Sequence, residues 1–220
     1  MADDKLKQIL RHRRGLQERL DEMDEKVRRP SFRDTTGKAN EVNYWVFDYA
    51  PEQELDVRER ITYMQKRNER GAEGFNLVVY DLYDLIMDYL ESKGFIEKTE
   101  KMEERGGIGR VITAVQRTLK ITDKDNYLVQ HIAEHTPQNS VVFLIGIGKC
   151  YPLLQAPEVF NKVLYNMPQE FTSTPMVLFY PGTYTEQELV VFNEVVEDNY
   201  YRAFRIACWM SRPILRINCC

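Results

Sequence analysis

Ser140-Val141-Val142-Phe143-Leu144-Ile145-Gly146 is the stretch on which the fold turns. Its apolar residues run without alternation, as a central parallel strand covered by helices on both faces requires. Gly146-Ile147-Gly148-Lys149 closes that strand, and outward from it strands and helices take turns. Upstream, Trp45-Val46-Phe47, starting near Val42, and Phe75-Asn76-Leu77-Val78-Val79-Tyr80 read as strands; downstream, Pro175-Met176-Val177-Leu178-Phe179-Tyr180 does. Pro51 opens a helix through Leu55, Arg58, Ile61 and Met64 to about Arg70, because a proline in the first turn gives up only an orphan N–H. Leu82, Leu85, Ile86, Tyr89 and Leu90 form the face of the next helix, which Gly94 ends. Lys98 to Gly107 is a loop or a helix interrupted at Gly106-Gly107, and a stretch with Val111, Ile112 and Val115 inside runs to Leu119.

Ile121-Thr122-Asp123 starts another helix, with Tyr127, Leu128, Ile132 and Ala133 as its buried stripe. Pro152 lies early in one using Leu153, Val159, Phe160, Val163 and Leu164. Thr185-Glu186-Gln187-Glu188 has capping-box spacing and predicts a helix over Leu189, Phe192, Val195 and Val196. Ala203-Phe204-Arg205-Ile206 reads as a short strand, and Ile214-Leu215-Arg216-Ile217 as an edge strand or a tail. Strand and helix alternate with crossovers long enough for helices, which predicts an α/β fold of three layers, α/β/α, around a mostly parallel central sheet.

Ahead of this body, Leu6, Ile9 or Leu10, Leu16, Leu20, Met23 and Val27 recur three or four apart from Lys5 to about Val27. That spacing predicts an amphipathic helix, laid across the same domain or free to dock a partner. Pro30 to Asn40 connects it to the first strand.

The 220 residues suffice for one sizeable core. With 43% apolar and 29% charged residues the composition is ordinary for a globular chain, and a net charge of -4 argues against a surface that generally coats nucleic acid. No apolar run approaches bilayer length and Met1-Ala2-Asp3-Asp4-Lys5 is too polar for a signal peptide, so the expected location is cytoplasmic. Cys150 and Cys208 read as core residues, and Cys219-Cys220 lacks the neighbours of a tetrahedral zinc site, so no metal or other cofactor is expected.

Ligands of open parallel sheets gather beyond the C-terminal strand ends. Those ends carry Asp48, Asp81, Gly146 to Lys149, and Tyr180-Pro181-Gly182. A phosphate loop needs G-x-x-x-x-G-K-[ST]; here Cys150 replaces the hydroxyl residue and no glycine stands five before Gly148. Tyr151 breaks the dinucleotide form. The two glycines suit a tight turn with close backbone approach, and Lys149 is the candidate anion-binding residue. Asp48 and Asp81 could share a magnesium ion, but aspartate is common where a strand gives way to a helix, because it caps. His131 and His135 lie four apart on one helical face without an H-E-x-x-H arrangement, and a place near a helix C-terminus accounts for both. No catalytic constellation emerges. Tyr200, Tyr201, Arg202, Phe204 and Arg205 put aromatics and arginines together after a helix, the residue types of interface centres; they equally fill an internal helix-to-strand corner.

Several of these stretches, in fixed order from about Tyr44 to Ile206, resemble the BrxB family of the bacterial phage-exclusion systems called BREX. They are Val46-Phe47-Asp48-Tyr49, the helix with Glu54-Leu55 and Val57-Arg58, and Asp81-Leu82-Tyr83, followed by Phe143-Leu144-Ile145-Gly146-Ile147-Gly148 and Tyr151-Pro152. Val177-Leu178-Phe179-Tyr180-Pro181-Gly182 and Asp198-Asn199-Tyr200-Tyr201-Arg202-Ala203-Phe204 complete the set. The apolar periodicity makes residues 1–40 a helix and connecting loop, and the resemblance implies 41–220 as a BrxB-like α/β domain, similar to a P-loop ATPase core that lacks the phosphate-binding motif. It implies a non-enzymatic accessory, scaffold or adaptor protein of anti-phage defence, with the alkaline-phosphatase-like PglZ-type protein as direct partner and other BREX components as further ones. Two alternatives stay open: a degenerate nucleotide or phosphate binder using Lys149, and a DNA-binding component acting through Arg11, Arg13, Arg14, Arg28 and Arg29, a reading that Asp21, Glu22, Asp24 and Glu25 weaken.

Overall fold

A computed structural model describes residues 2–33, 43–70, 73–185, 188–191, 195–198 and 203–207. In chain order, helix α1 (Ala2–Arg28) and a single turn α2 (Pro30–Arg33) precede strand β1 (Tyr44–Tyr49). A 3-10 turn at Pro51–Gln53 leads into α3 (Glu54–Asn68), β2 (Asn76–Asp81), α4 (Leu82–Ser92), α5 (Ile96–Leu119), α6 (Tyr127–His135) and β3 (Ser140–Ile145). The short helices α7 (Ile147–Cys150) and α8 (Ala156–Glu158) follow, then β4 (Met176–Pro181), β5 (Thr183–Thr185), β6 (Glu188–Val191), β7 (Val195–Asp198) and β8 (Phe204–Arg205).

Five strands form one sheet in the order β2-β3-β4-β1-β8, parallel at every pairing. Every residue of β4 is buried, and so is β3 from Ser140 to Leu144. The apolar run of β3 has this cause: Val142 and Leu144 face one layer while Val141 and Phe143 face the other. The first layer is α4 to α8 and the second is α1 to α3. The α3 crossover carries the chain from β1 to β2 on one face. The crossovers from β2 to β3 and from β3 to β4 run the opposite way on the other face, as right-handed connections demand.

Leu16, Leu20, Met23 and Val27 of α1 are buried with Phe47, Tyr49 and Phe179. Of the two uses open to the N-terminal helix, these side chains serve the first and lie across the body. Buried Asp24 fixes the helix further, accepting from both terminal nitrogens of Arg67 on α3 at 2.8 and 2.5 Å. That hydrogen bonding, against a smaller cost of burial, holds the Arg67 guanidinium above its ordinary pKa.

Three expectations need correction. The capping-box segment is not a helix: β5, β6 and β7 form an antiparallel three-stranded sheet. Thr185 pairs with Glu188 in its register, so the three-residue spacing of a capping box is also that of the pair closing a two-residue hairpin. The flanking Val190, Val191, Val195 and Val196 have β-branched side chains that favour the strand choice. Second, α6 begins at Tyr127, not near Ile121, because Asn126 caps it, accepting from the Val129 N–H at 3.2 Å. Third, no single helix grows from Pro152: α7 and α8 give way to a π turn over Val159–Val163 and a 3-10 turn over Leu164–Asn166, in a segment where Pro152 and Pro157 each remove a backbone donor. The helix expected from Pro51 through Leu55, Arg58, Ile61 and Met64 is α3, with Val57, Ile61 and Met64 as its inner face and Leu55 77% exposed. The Lys98–Gly107 segment is helical, with a break where Gly107 takes φ 68° and ψ -179°. The Ile214–Ile217 strand expectation lies outside the described residues.

Candidate functional site

The C-terminal edge of the sheet holds two carboxylates, Asp81 at the end of β2 and Asp48 one residue before the end of β1. With β3 and β4 between their strands, they stand about 14 Å apart by three inter-strand spacings. A shared magnesium ion with oxygen ligands near 2 Å does not fit that separation.

Asp81 caps α4, its Oδ1 accepting from the N–H groups of Tyr83 at 3.1 Å and Asp84 at 3.3 Å. Its Oδ2 accepts from Lys149 Nζ at 2.5 Å, and Asp84 Oδ1 does so at 3.1 Å. Partial burial pulls the Lys149 pKa down, but the hydrogen bonds to Asp81 and Asp84 outweigh it and the ammonium titrates above its usual value. Both glycines of the turn are required here. Gly146 has φ 78°, and a Cβ on it would lie 2.2 Å from Asp81 Oδ1; a Cβ on Gly148 would lie 2.9 Å from Pro181 Cγ. Cys150, where a phosphate loop places its metal-binding hydroxyl, turns inward, its Sγ bonding the Gly146 carbonyl at 3.4 Å. Burial, and then the Asp81 charge, push its thiol up to about 12. The Gly146–Lys149 segment is therefore a turn shaped around Asp81.

Asp48 is fully buried and gathers groups from three other parts of the chain. Oδ1 accepts from Arg19 Nη2 of α1 at 2.6 Å; Oδ2 accepts from the Tyr184 N–H of β5 at 3.1 Å and from Arg205 Nη2 of β8 at 3.2 Å. Arg205 also donates to the Tyr184 carbonyl, and the Tyr184 hydroxyl to the Ala203 carbonyl at 2.7 Å. Burial lowers the Arg19 pKa from its ordinary value, and the charge of Asp48 opposes that shift. The guanidinium has a second task. β8 pairs with β1 only at Trp45 and Val46, where the Ile206 N–H reaches the Val46 carbonyl. Two residues on, the Asp48 carbonyl points to the same edge, and Arg19 Nη2 donates to it at 2.6 Å in place of the next strand hydrogen bond. The mouth between β1 and β4 is bridged as well, by the Gly182 N–H on the Tyr49 carbonyl at 2.9 Å.

The aromatic-arginine corner divides. Arg205 points inward to Asp48, whereas Phe204 is 42% exposed and packs 5.5 Å from the Trp45 ring. Tyr200, Tyr201 and Arg202 lie outside the described residues. Arg28 pairs with Asp24 within α1, Arg29 just past its end pairs with Glu25, and the side chains of Arg11, Arg13 and Arg14 lie outside the described residues. Arg19 and Tyr184 are the contributors that motif reasoning missed. The one signal for Arg19 is its place three residues after Leu16 and one before Leu20, which puts it on the inward side of the stripe.

Among the described residues no three His, Cys, Asp or Glu side chains converge as metal ligands, and no helix is long and apolar enough to cross a membrane. Fold and edge together define a mixed α/β protein with a parallel sheet whose strand-end carboxylates are held by the chain's own basic residues. The family model described as "BREX protein BrxB" matches residues 78–206. A relative carrying that name from Bacillus cereus (strain H3081.97) is 37% identical over 193 residues, 88% of this chain and 98% of its own. Another from Escherichia coli O9:H4 (strain HS) is 26% identical over 191 residues, 87% of this chain and 91% of its own. The chain belongs to the BrxB family of BREX proteins. No solved structure matches it.

Proposed function

We propose that this chain is a non-enzymatic accessory protein of a BREX anti-phage defence system, acting as an adaptor whose direct partner is the PglZ-type protein. The supporting observation is the occupied strand-end edge: Asp48 and Asp81, placed where a parallel sheet collects ligands, both spend their charge on internal partners. Relatives named as BREX proteins match over most of this chain, which supports the defence context. The likeness to a P-loop ATPase core without its phosphate-binding motif belongs to the same reading; an all-parallel sheet with its first strand between β4 and β8 supports it.

On this reading the contact surface includes Phe204 and Trp45 at the β8 edge, together with Tyr200, Tyr201 and Arg202. Co-expression with a tagged PglZ-type protein and the other defence components tests it. A stoichiometric complex that persists across a salt series, and that Phe204→Glu weakens, is the expected result. Recovery of this chain alone and monomeric at every salt concentration overturns it. Phosphate binding at Lys149 is the second reading and requires the anion to displace Asp81 and Asp84. Titration with ATP, GTP and magnesium tests it: heat that Lys149→Ala removes supports the reading, and absence of heat ends it. DNA binding through Arg11, Arg13, Arg14, Arg28 and Arg29 predicts a duplex affinity that falls steeply with salt.

A further inference from the structure

His131 and His135 stand one helical turn apart on α6, so both rings leave the same face. Their centroids are 4.2 Å apart and their planes 17° from parallel. In each ring Nδ1 is the engaged nitrogen. His135 Nδ1 lies 2.8 Å from the His131 backbone carbonyl. A carbonyl oxygen can only accept, so Nδ1 carries the proton and the lone pair is on Nε2. His131 Nδ1 lies 3.3 Å from the Tyr127 hydroxyl, which can accept from an Nδ1–H and in that tautomer leaves the Nε2 lone pair open; the Tyr127 ring is itself stacked on Tyr89 with centroids 3.8 Å apart. Tyr80 meets His131 edge-on at 5.9 Å. An imidazole whose Nδ1 is anchored to a carbonyl or hydroxyl while Nε2 is left to coordinate is the outer-shell arrangement that fixes metal-binding histidines.

We propose that His131 and His135 form a binding site for one divalent transition-metal ion of the zinc, nickel or copper class, coordinated through both Nε2 atoms. Imidazole suits those ions, whereas magnesium and calcium demand oxygen ligands. Two nitrogens about 2 Å from one ion require the ring planes to converge. χ2 of histidine is a broad, soft torsion, and metal binding would turn the rings about it out of the stacked pose. With two protein ligands the remaining positions are filled by water, so the ion exchanges readily and its affinity is set by how well the rings are pre-positioned. Tyr127 is a positioning residue in this scheme, acting only through His131.

Zinc and nickel titrations of the full chain at neutral pH test the site, with heat, native mass and histidine ¹⁵N resonances as readouts. One equivalent is expected to bind, shifting the Nε2 resonances of both rings. His131→Gln or His135→Gln should each lower affinity by about tenfold or more, and Tyr127→Phe by about tenfold, the usual cost of losing an outer-shell partner. Glu134→Gln should leave it unchanged, and protonation of the imidazoles should weaken it in acid. Thermal unfolding of each metal-free variant confirms that it is folded. Absence of stoichiometric binding overturns the proposal. So does binding that survives in the His131→Gln, His135→Gln double variant, which would put the ion on other ligands such as the cysteines.

Discussion

Replacing Asp48 with asparagine keeps the shape of the side chain and removes its charge, leaving two guanidiniums to face one another. Arg19 is 3% exposed at its side chain and Arg205 28%, so at least the first cation stays in a poorly solvated place. Removing one partner of a buried pair costs about 3–5 kcal/mol, because the surviving charge has lost its compensation. The amide also sets a donor against one of the three donors that now converge, from Arg19, Arg205 and the Tyr184 N–H. For a domain of this size each kcal/mol moves the melting temperature by about 2–4 °C, so Asp48→Asn should melt about 6–20 °C lower. Urea unfolding followed by circular dichroism and by fluorescence measures the loss. Arg19→Met in the Asp48→Asn background removes the stranded cation, and the double variant should be more stable than the two single losses predict, by about 1.5 kcal/mol or more. A loss under about 1 kcal/mol for Asp48→Asn, or strict additivity in the cycle, would refute the reasoning that Asp48 neutralises a buried pair of cations.

Gly146→Ala should cost at least about 2 kcal/mol in the same assay, since it meets both a positive φ and Asp81 Oδ1. Lys149→Met should cost no more than about 1 kcal/mol, because that ion pair is partly open to water; a larger loss would mean that the pair is effectively buried. Cys150 should resist alkylation until the protein unfolds, its thiol being buried and held up to about 12, and peptide-resolved mass spectrometry of iodoacetamide-treated native protein would detect the contrary. His131 has a folded pKa below its ordinary 6.5, so the unfolded chain binds more protons between those values. Its contribution to stability is complete above about 6.5 and lost as pH falls through the folded value; His131→Gln should flatten that slope in unfolding measured across mildly acid pH.

The sheet was legible because burial on both faces leaves a compositional trace. Val141 to Ile145 and Met176 to Tyr180 are continuously apolar, and no amphipathic helix has that pattern. The carboxyl-end geometry was legible in part: Asp81 caps a helix as its position suggests, and the glycines after β3 answer to close approach. What stayed hidden depended on distance along the chain. Thr185 and Glu188 satisfy helix and hairpin rules equally well, and only the pairing of Val190 with Val196 across the meander decides between them. Arg19 sits in a helix crowded with charge, and its place beside the Leu16–Leu20 stripe is a weak signal that names no partner. Its identity as an interior residue depends on Asp48, 29 residues away.

The Asp48 cluster sets the order in which the molecule can be completed. Tyr184 and Arg205 reach it from 136 and 157 residues downstream. A chain still emerging from the ribosome can join α1, β1 and the α3 crossover early, yet Asp48 then has Arg19 but not Arg205, and β1 is still a sheet border on the side that β8 will cover. Contacts of such wide separation form late, because the loops they close must first lose their freedom. Nascent chains stalled before β8 should therefore remain protease-sensitive at β1, and release of the last segment should bring protection to both ends of the domain at once.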